Sequence, residues 1–71
     1  MGVYVFKTDI NSASLIESVK PLLNSNQYIS DWSIDIEDID NVLRIISVEL
    51  LENEIIQIIK NKGFICEALP D

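Results

Sequence analysis

The sequence predicts an α+β fold, a four-stranded antiparallel sheet with two helices on one face, in the chain order β-α-β-β-α-β. Two observations support this prediction. Apolar residues recur at helical spacing in two separate segments, and short β-branched or aromatic runs stand before, between and after those segments. With 71 residues, the chain is expected to form one domain that spans residues 1–71.

The first strand and the first helix are predicted in the opening third of the chain. Residues 3–8 are β-branched or aromatic and apolar on both faces, which is typical of a strand inside a sheet. A helix is predicted from about residue 12 to residue 24, because apolar residues recur there three and four positions apart and a serine or asparagine is available to cap its start. Pro21, late in this helix, predicts a kink or a loosened last turn.

The second and third strands are expected to pair as a hairpin. Trp32, Ile34 and Ile36 alternate with polar residues, which predicts a half-buried strand with Trp32 against the helices. A polar connection and a second β-rich run at residues 42–48 follow. The carboxylates of that connection lack the spacing and the glycine of a calcium loop, so they predict a solvated turn.

A second helix and a short last strand complete the predicted order. The apolar stripe of the helix comprises Leu51, Ile55, Ile58 and Ile59. Gly63 is expected to end this helix as a left-handed cap, and residues 64–69 form the last predicted strand. Six elements in this order and a chain of this length match the ferredoxin-like arrangement.

Composition excludes several classes of function. Twelve acidic and five basic residues give a net charge of −7, so nucleic acid and anionic membrane surfaces are poor partners. No apolar run approaches the roughly 18 residues of a membrane span, and the opening segment lacks the features of a secretory signal, so a cytoplasmic location is expected. Histidine is absent and no nucleophile stands beside a base, so neither an enzyme, a catalytic residue nor a cofactor is expected.

Four segments, in their order and spacing, resemble one known family, the heavy-metal-associated domains, and in particular its small bacterial copper-chaperone-like members. The segments are Lys7-Thr8-Asp9-Ile10-Asn11, Val19-Lys20-Pro21-Leu22-Leu23-Asn24, Ile29 with Trp32, and Lys60-Asn61-Lys62-Gly63-Phe64. In that family, two cysteines in the loop after the first strand hold Cu(I) or another soft ion. The resemblance places their positions at Ser12 and Leu15, which provide no thiolate. It therefore implies the fold without the copper ligands.

Three individual residues are weighed as candidates. Ser12 is expected to cap the first helix, and Leu15 to lie in the core or in a hydrophobic patch at the former metal position. Cys66, the single cysteine, is expected to be a small buried hydrophobic residue in the last strand. The alternative role for Cys66 is a soft-metal or redox thiol, which requires an oligomer or a partner, because one thiolate does not hold copper tightly.

The open face of the sheet is the remaining candidate for a functional surface. With Tyr4 and Phe6 directed at the helices, the opposite face is predicted to be unusually apolar. Its predicted interface residues are Val3, Val5, Arg44, Ile46 and Val48. Such a face predicts a homodimer or a protein partner, and hence a non-catalytic binding module with little or no copper binding. The alternative function is a residual heavy-metal-binding or metal-transport protein that uses Cys66.

Overall fold

The computed structural model describes residues 2–70 and has the predicted order of elements. The elements are β1 (Gly2–Thr8), α1 (Ala13–Asn24), β2 (Ile29–Asp35), β3 (Val42–Ser47), α2 (Glu52–Asn61) and β4 (Cys66–Ala68). The strands form one sheet in the order β2-β3-β1-β4, and every neighbouring pair is antiparallel. Within these residues, neither helix has the length and apolar content needed to cross a bilayer.

The core lies between one face of this sheet and both helices. Phe6 pairs with Leu43 across β1 and β3, and both side chains are fully buried. The two helices contribute buried side chains to the same cluster, Val19 and Leu23 from α1 and Ile55 and Ile59 from α2. Because side chains alternate across a strand, the opposite face of the sheet is left without a covering layer.

Local polar contacts set the ends of α2. The Glu54 carboxylate accepts a hydrogen bond from the Leu51 backbone N–H at 2.9 Å, which satisfies a donor that the helix itself leaves free. Glu52 and Glu54 stand in the first turn and Lys60 in the last, as the helix dipole favours. Gly63 has a φ of +107°, which confirms the predicted left-handed termination.

Four sequence predictions differ from the structure. Ile36 lies beyond β2 in the turn and is exposed, and Leu51 caps α2 instead of joining its buried stripe. The last strand is shorter than expected and comprises Cys66–Ala68, with the Leu69 N–H donating one further bond to the Val5 carbonyl at 3.0 Å. Helix α1 continues through Pro21 to Asn24, and the Pro21 carbonyl accepts the Ser25 N–H at 3.0 Å. Of the two alternatives predicted for Pro21, the loosened last turn is therefore wrong, and the kink stays a prediction.

Trp32 provides a stability test of the β2 register. It is half-buried against the core opposite Ile45, and its Nε1 donates to the Asn24 Oδ1 at 2.8 Å. Trp32→Ala is expected to lower the free energy of unfolding by about 3 kcal/mol, at the lower end for a tryptophan because the side chain is only partly buried. Trp32→Phe retains most of the packing and should cost about 1 kcal/mol. Urea titration measures both, and a loss below about 1 kcal/mol for Trp32→Ala contradicts this register.

Candidate functional site

The loop between β1 and α1 begins at a buried threonine. The Thr8 Oγ1 donates to the Asn41 carbonyl at 2.7 Å and accepts the Ile10 N–H at 3.2 Å. The Thr8 N–H donates to the Asp40 carbonyl at 3.0 Å. These bonds attach the end of β1 to the turn that precedes β3, so the loop starts from a fixed position.

The same loop is attached to the segment before β4. The Asp9 Oδ1 accepts the Ile65 N–H at 2.9 Å, across 56 residues of sequence. Ile10 is fully buried in the core cluster. Hydrogen bonds and one apolar anchor therefore hold the loop at the end of the molecule where α1 begins.

Ser12 and Leu15 stand at the start of α1. Ser12 is the N-cap of the helix, as predicted, and its Oγ accepts the Leu15 N–H at 3.3 Å. Leu15 is partly buried against the core, which agrees with the expectation of a packing role. A hydroxyl and an alkyl side chain do not fit a soft metal ion, which prefers thiolate or thioether ligands. Within residues 2–70, no three Asp, Glu or Cys side chains cluster in a way that could hold a metal ion.

Cys66 is enclosed by the core. Its exposed fraction is 1%, which confirms the expected buried hydrophobic role. Burial raises the pKa of the thiol from 9.0 to about 11, with Lys60 opposing and Glu67 reinforcing this effect. A neutral, enclosed thiol is a poor soft-metal ligand. Bringing two Cys66 side chains together would require the core to open, so the structure does not support the shared-metal alternative.

The open face carries the predicted interface residues side by side. Val3 pairs with Ile46 and Val5 pairs with Arg44 across β1 and β3. Val3 is 56% exposed and Val48, just beyond β3, is 64% exposed, whereas Val5 and Ile46 are half-buried by their neighbours on the face. The strand register thus brings Val3, Val5, Arg44 and Ile46 to the side of the sheet opposite the helices, whereas Val48 lies beyond β3 and its place on this face stays a prediction.

Sequence reasoning missed the acidic part of this surface. Asp35 pairs with Val42 and Ser33 pairs with Arg44, so β2 adds polar side chains to the open face. A shallow cavity of about 300 Å³ lies there, lined by Val5, Ser33, Asp35, Asp38, Val42 and Arg44. The expectation of an unusually apolar face is therefore corrected to an apolar centre with an acidic border. The polar alternation in β2 was a signal, but the hairpin register was needed to place it beside Arg44.

Comparisons with known proteins find similarity in structure alone. No family profile and no curated protein sequence matches the chain. A copper-binding domain from HMA7, a P-type ATPase, superposes with a TM-score of 0.83 at 19% identity, over 99% of this chain and 96% of that one. A chain of the Atx1–Cu(I)–Ccc2a complex superposes with a TM-score of 0.82 at 18% identity, over 97% of this chain and 96% of that one. A structure described under crosstalk between Cu(I) and Zn(II) homeostasis superposes with a TM-score of 0.80 at 7% identity, over 97% of this chain and 100% of that one.

The burial of Cys66 leads to a prediction about the reactivity of its thiol. In the folded protein at pH 8, Cys66 should react with a disulfide reagent much more slowly than in urea, because it is enclosed and its pKa is raised. Rapid labelling without denaturant contradicts the enclosed position.

The raised pKa of Cys66 also predicts how stability depends on pH. The contribution of this thiol to the free energy of unfolding is present below pH 9.0 and is lost as the pH rises toward about 11. A Cys66→Ala variant should lack this alkaline decline.

Proposed function

We propose that this chain, which has the fold of the heavy-metal-associated, copper-chaperone-like domains, is a non-catalytic interaction module that does not itself carry copper. We place it in the cytoplasm as a single domain that acts through its open sheet face. The observation that carries the proposal is the group of apolar side chains on that face: Val3 is 56% exposed and pairs with Ile46, and Val5 follows two residues later on the same side of β1.

The loop at the start of α1 supports the proposal that the chain does not itself carry copper. Its side chains already have structural partners: Thr8 and Asp9 bond backbone groups of other segments, and Ser12 caps the helix. None of them supplies a soft ligand. The loop is thus held by its own hydrogen bonds, with no need for a bound ion as a cross-link.

The open face supports the proposal that the chain is an interaction module. Burying about 200 Å² of its apolar surface contributes about 5 kcal/mol before the entropic cost of association is subtracted. The four strands have seven, seven, six and three residues. With a rise of about 3.3 Å per residue and a strand spacing of about 4.8 Å, they give a flat area of roughly 360 Å². That area is less than half of the roughly 800 Å² that a stable complex buries on each partner. A weak, reversible contact is therefore the proposed mode.

The proposed occupant is a second copy or another protein. A chain of similar fold belongs to the Atx1–Cu(I)–Ccc2a complex, in which it is associated with another protein. By analogy of fold, we assign a protein-binding role to this chain, with its own surface chemistry in place of the thiolates.

Introducing charge at the centre of the face tests the proposal. In high salt, where surface charges are screened, the wild type should show concentration-dependent sedimentation. The double variant Val5→Glu with Ile46→Glu should keep its circular dichroism spectrum and lose that dependence, because two carboxylates then face the partner. Ile39→Glu is the matched control, since Ile39 is 94% exposed and lies in the β2–β3 turn, outside the face.

Two results contradict the proposal. One is a wild type that stays monomeric at high protein and salt concentrations. The other is equal loss of association in the Ile39→Glu control, which would locate the contact elsewhere.

A further inference from the structure

We propose that the acidic borders of the open face select its occupant. They oppose a second copy of this chain and favour a different protein whose contact surface has a positively charged border around an apolar centre. This inference rests on the proposed function, because it names the partner of the same face.

Both edge strands carry carboxylates on the open side. On β2, Asp31 pairs with Ile46 and Asp35 pairs with Val42, and these valine and isoleucine side chains belong to the open face. On β4, Glu67 pairs with Lys7, which also points away from the helices. All three carboxylates belong to exposed residues. The open side of β1 and β3 is therefore mainly apolar apart from Lys7 and Arg44, and the edge strands add three carboxylates, two on β2 and one on β4.

This arrangement disfavours pairing of two identical faces. Packed sheets keep their strands roughly aligned and lie about 10 Å apart. When two such four-stranded faces overlap fully, the edge strand β2 lies over either β2 or β4 of the second copy. Carboxylates then face carboxylates in both arrangements, and like charges across an interface cost free energy. At physiological salt the Debye length is about 8 Å, so this repulsion is only partly screened.

The two central strands also carry two basic residues on the open face, Lys7 and Arg44. Lys7 lies 3.9 Å from the Asp40 carboxylate, so part of its charge is already balanced. Arg44 forms no ion pair within residues 2–70. A partner with basic residues over Asp31, Asp35 and Glu67 and an acidic or polar group over Arg44 complements these four charges.

The carboxylates of β2 also accept backbone hydrogen bonds. The Asp31 carboxylate accepts the Trp32 N–H at 2.9 Å within this edge strand, and the Asp35 carboxylate accepts the Glu37 N–H at 3.0 Å in the turn that follows it. Charged side chains along an edge strand disfavour the addition of another strand. The open face is therefore the proposed contact surface, and the edge of β2 is not.

A variant of this chain can serve as the probe partner. Asp31→Lys, Asp35→Lys and Glu67→Lys together give a copy with the same apolar centre and a basic border. Sedimentation velocity in low salt should show the wild type alone as a monomer, and its mixture with this variant as a heterodimer. We expect the heterodimer to weaken at least about tenfold when the salt is raised well above physiological concentration.

Two further variants separate position from net charge. Glu17→Lys, Glu49→Lys and Glu52→Lys change the net charge equally but lie outside the sheet strands, so this copy should not bind the wild type. Asp31→Asn, Asp35→Asn and Glu67→Gln neutralise the border without adding cations, so this copy should associate with itself more strongly than the wild type does.

Each other outcome overturns a defined claim. Equal binding by the control with changes outside the strands overturns the border inference, because general charge attraction then suffices. Self-association of the neutralised copy without a heterodimer in the mixture also overturns this inference and leaves the proposed function standing. Monomers throughout, including the neutralised copy and the wild type in high salt, overturn both.

Discussion

The register of β1 against β3 is the constraint on which the rest of the structure depends. It places Tyr4 opposite Ile45 and Phe6 opposite Leu43 beneath the helices, and leaves Val3, Val5 and their partners on the open side. A slip by one residue would exchange the two sets, because side chains alternate with a period of two. Ser47 secures the end of β3: it is fully buried, its Oγ donates to the Tyr28 carbonyl, and it accepts the Leu50 N–H at 3.0 Å. The core and the open face are thus both set by one strand pairing.

The end of β1 sets the position of the loop that leads into α1. Thr8 joins this end to the turn before β3, and Asp9 joins it to the segment before β4. Ser12 then caps α1 with its hydroxyl. These residues use their polar atoms to hold backbone groups, so the loop is organised by the protein's own hydrogen bonds. Because no thiolate is among these residues, the proposed function rests on the open face and not on this loop.

Much of this architecture could be predicted from periodicity, because both helices have one apolar stripe and β2 alternates clearly. The Ser12 cap, the Gly63 termination and the burial of Cys66 also follow from local chemistry. Arg44 and Ile46 lie on the open side of β3 as predicted, but the residues of β2 that pair with them could not be predicted, because alternation sets the face of a strand and not its partner positions. The hairpin turn depends on Asn41 at a φ of +47°, and the pairing shifts between Ile29 and Asp31. The acidic border depends on that register, and for this reason it emerges only from the structure.

Competition for Cu(I) tests most directly whether the fold has been retained without its thiolate site. With Cys66→Ala as the common background, the chain is titrated anaerobically against a coloured Cu(I) chelator, with and without the added changes Ser12→Cys and Leu15→Cys. The expected result is that the background protein leaves the colour unchanged, while the double-cysteine form removes Cu(I), because its thiolates lie at the positive end of α1. Removal of Cu(I) by the monomeric background protein would contradict the loss of the site. A folded double-cysteine form that removes none would show that the loop geometry, and not merely its ligands, differs from that of a copper domain.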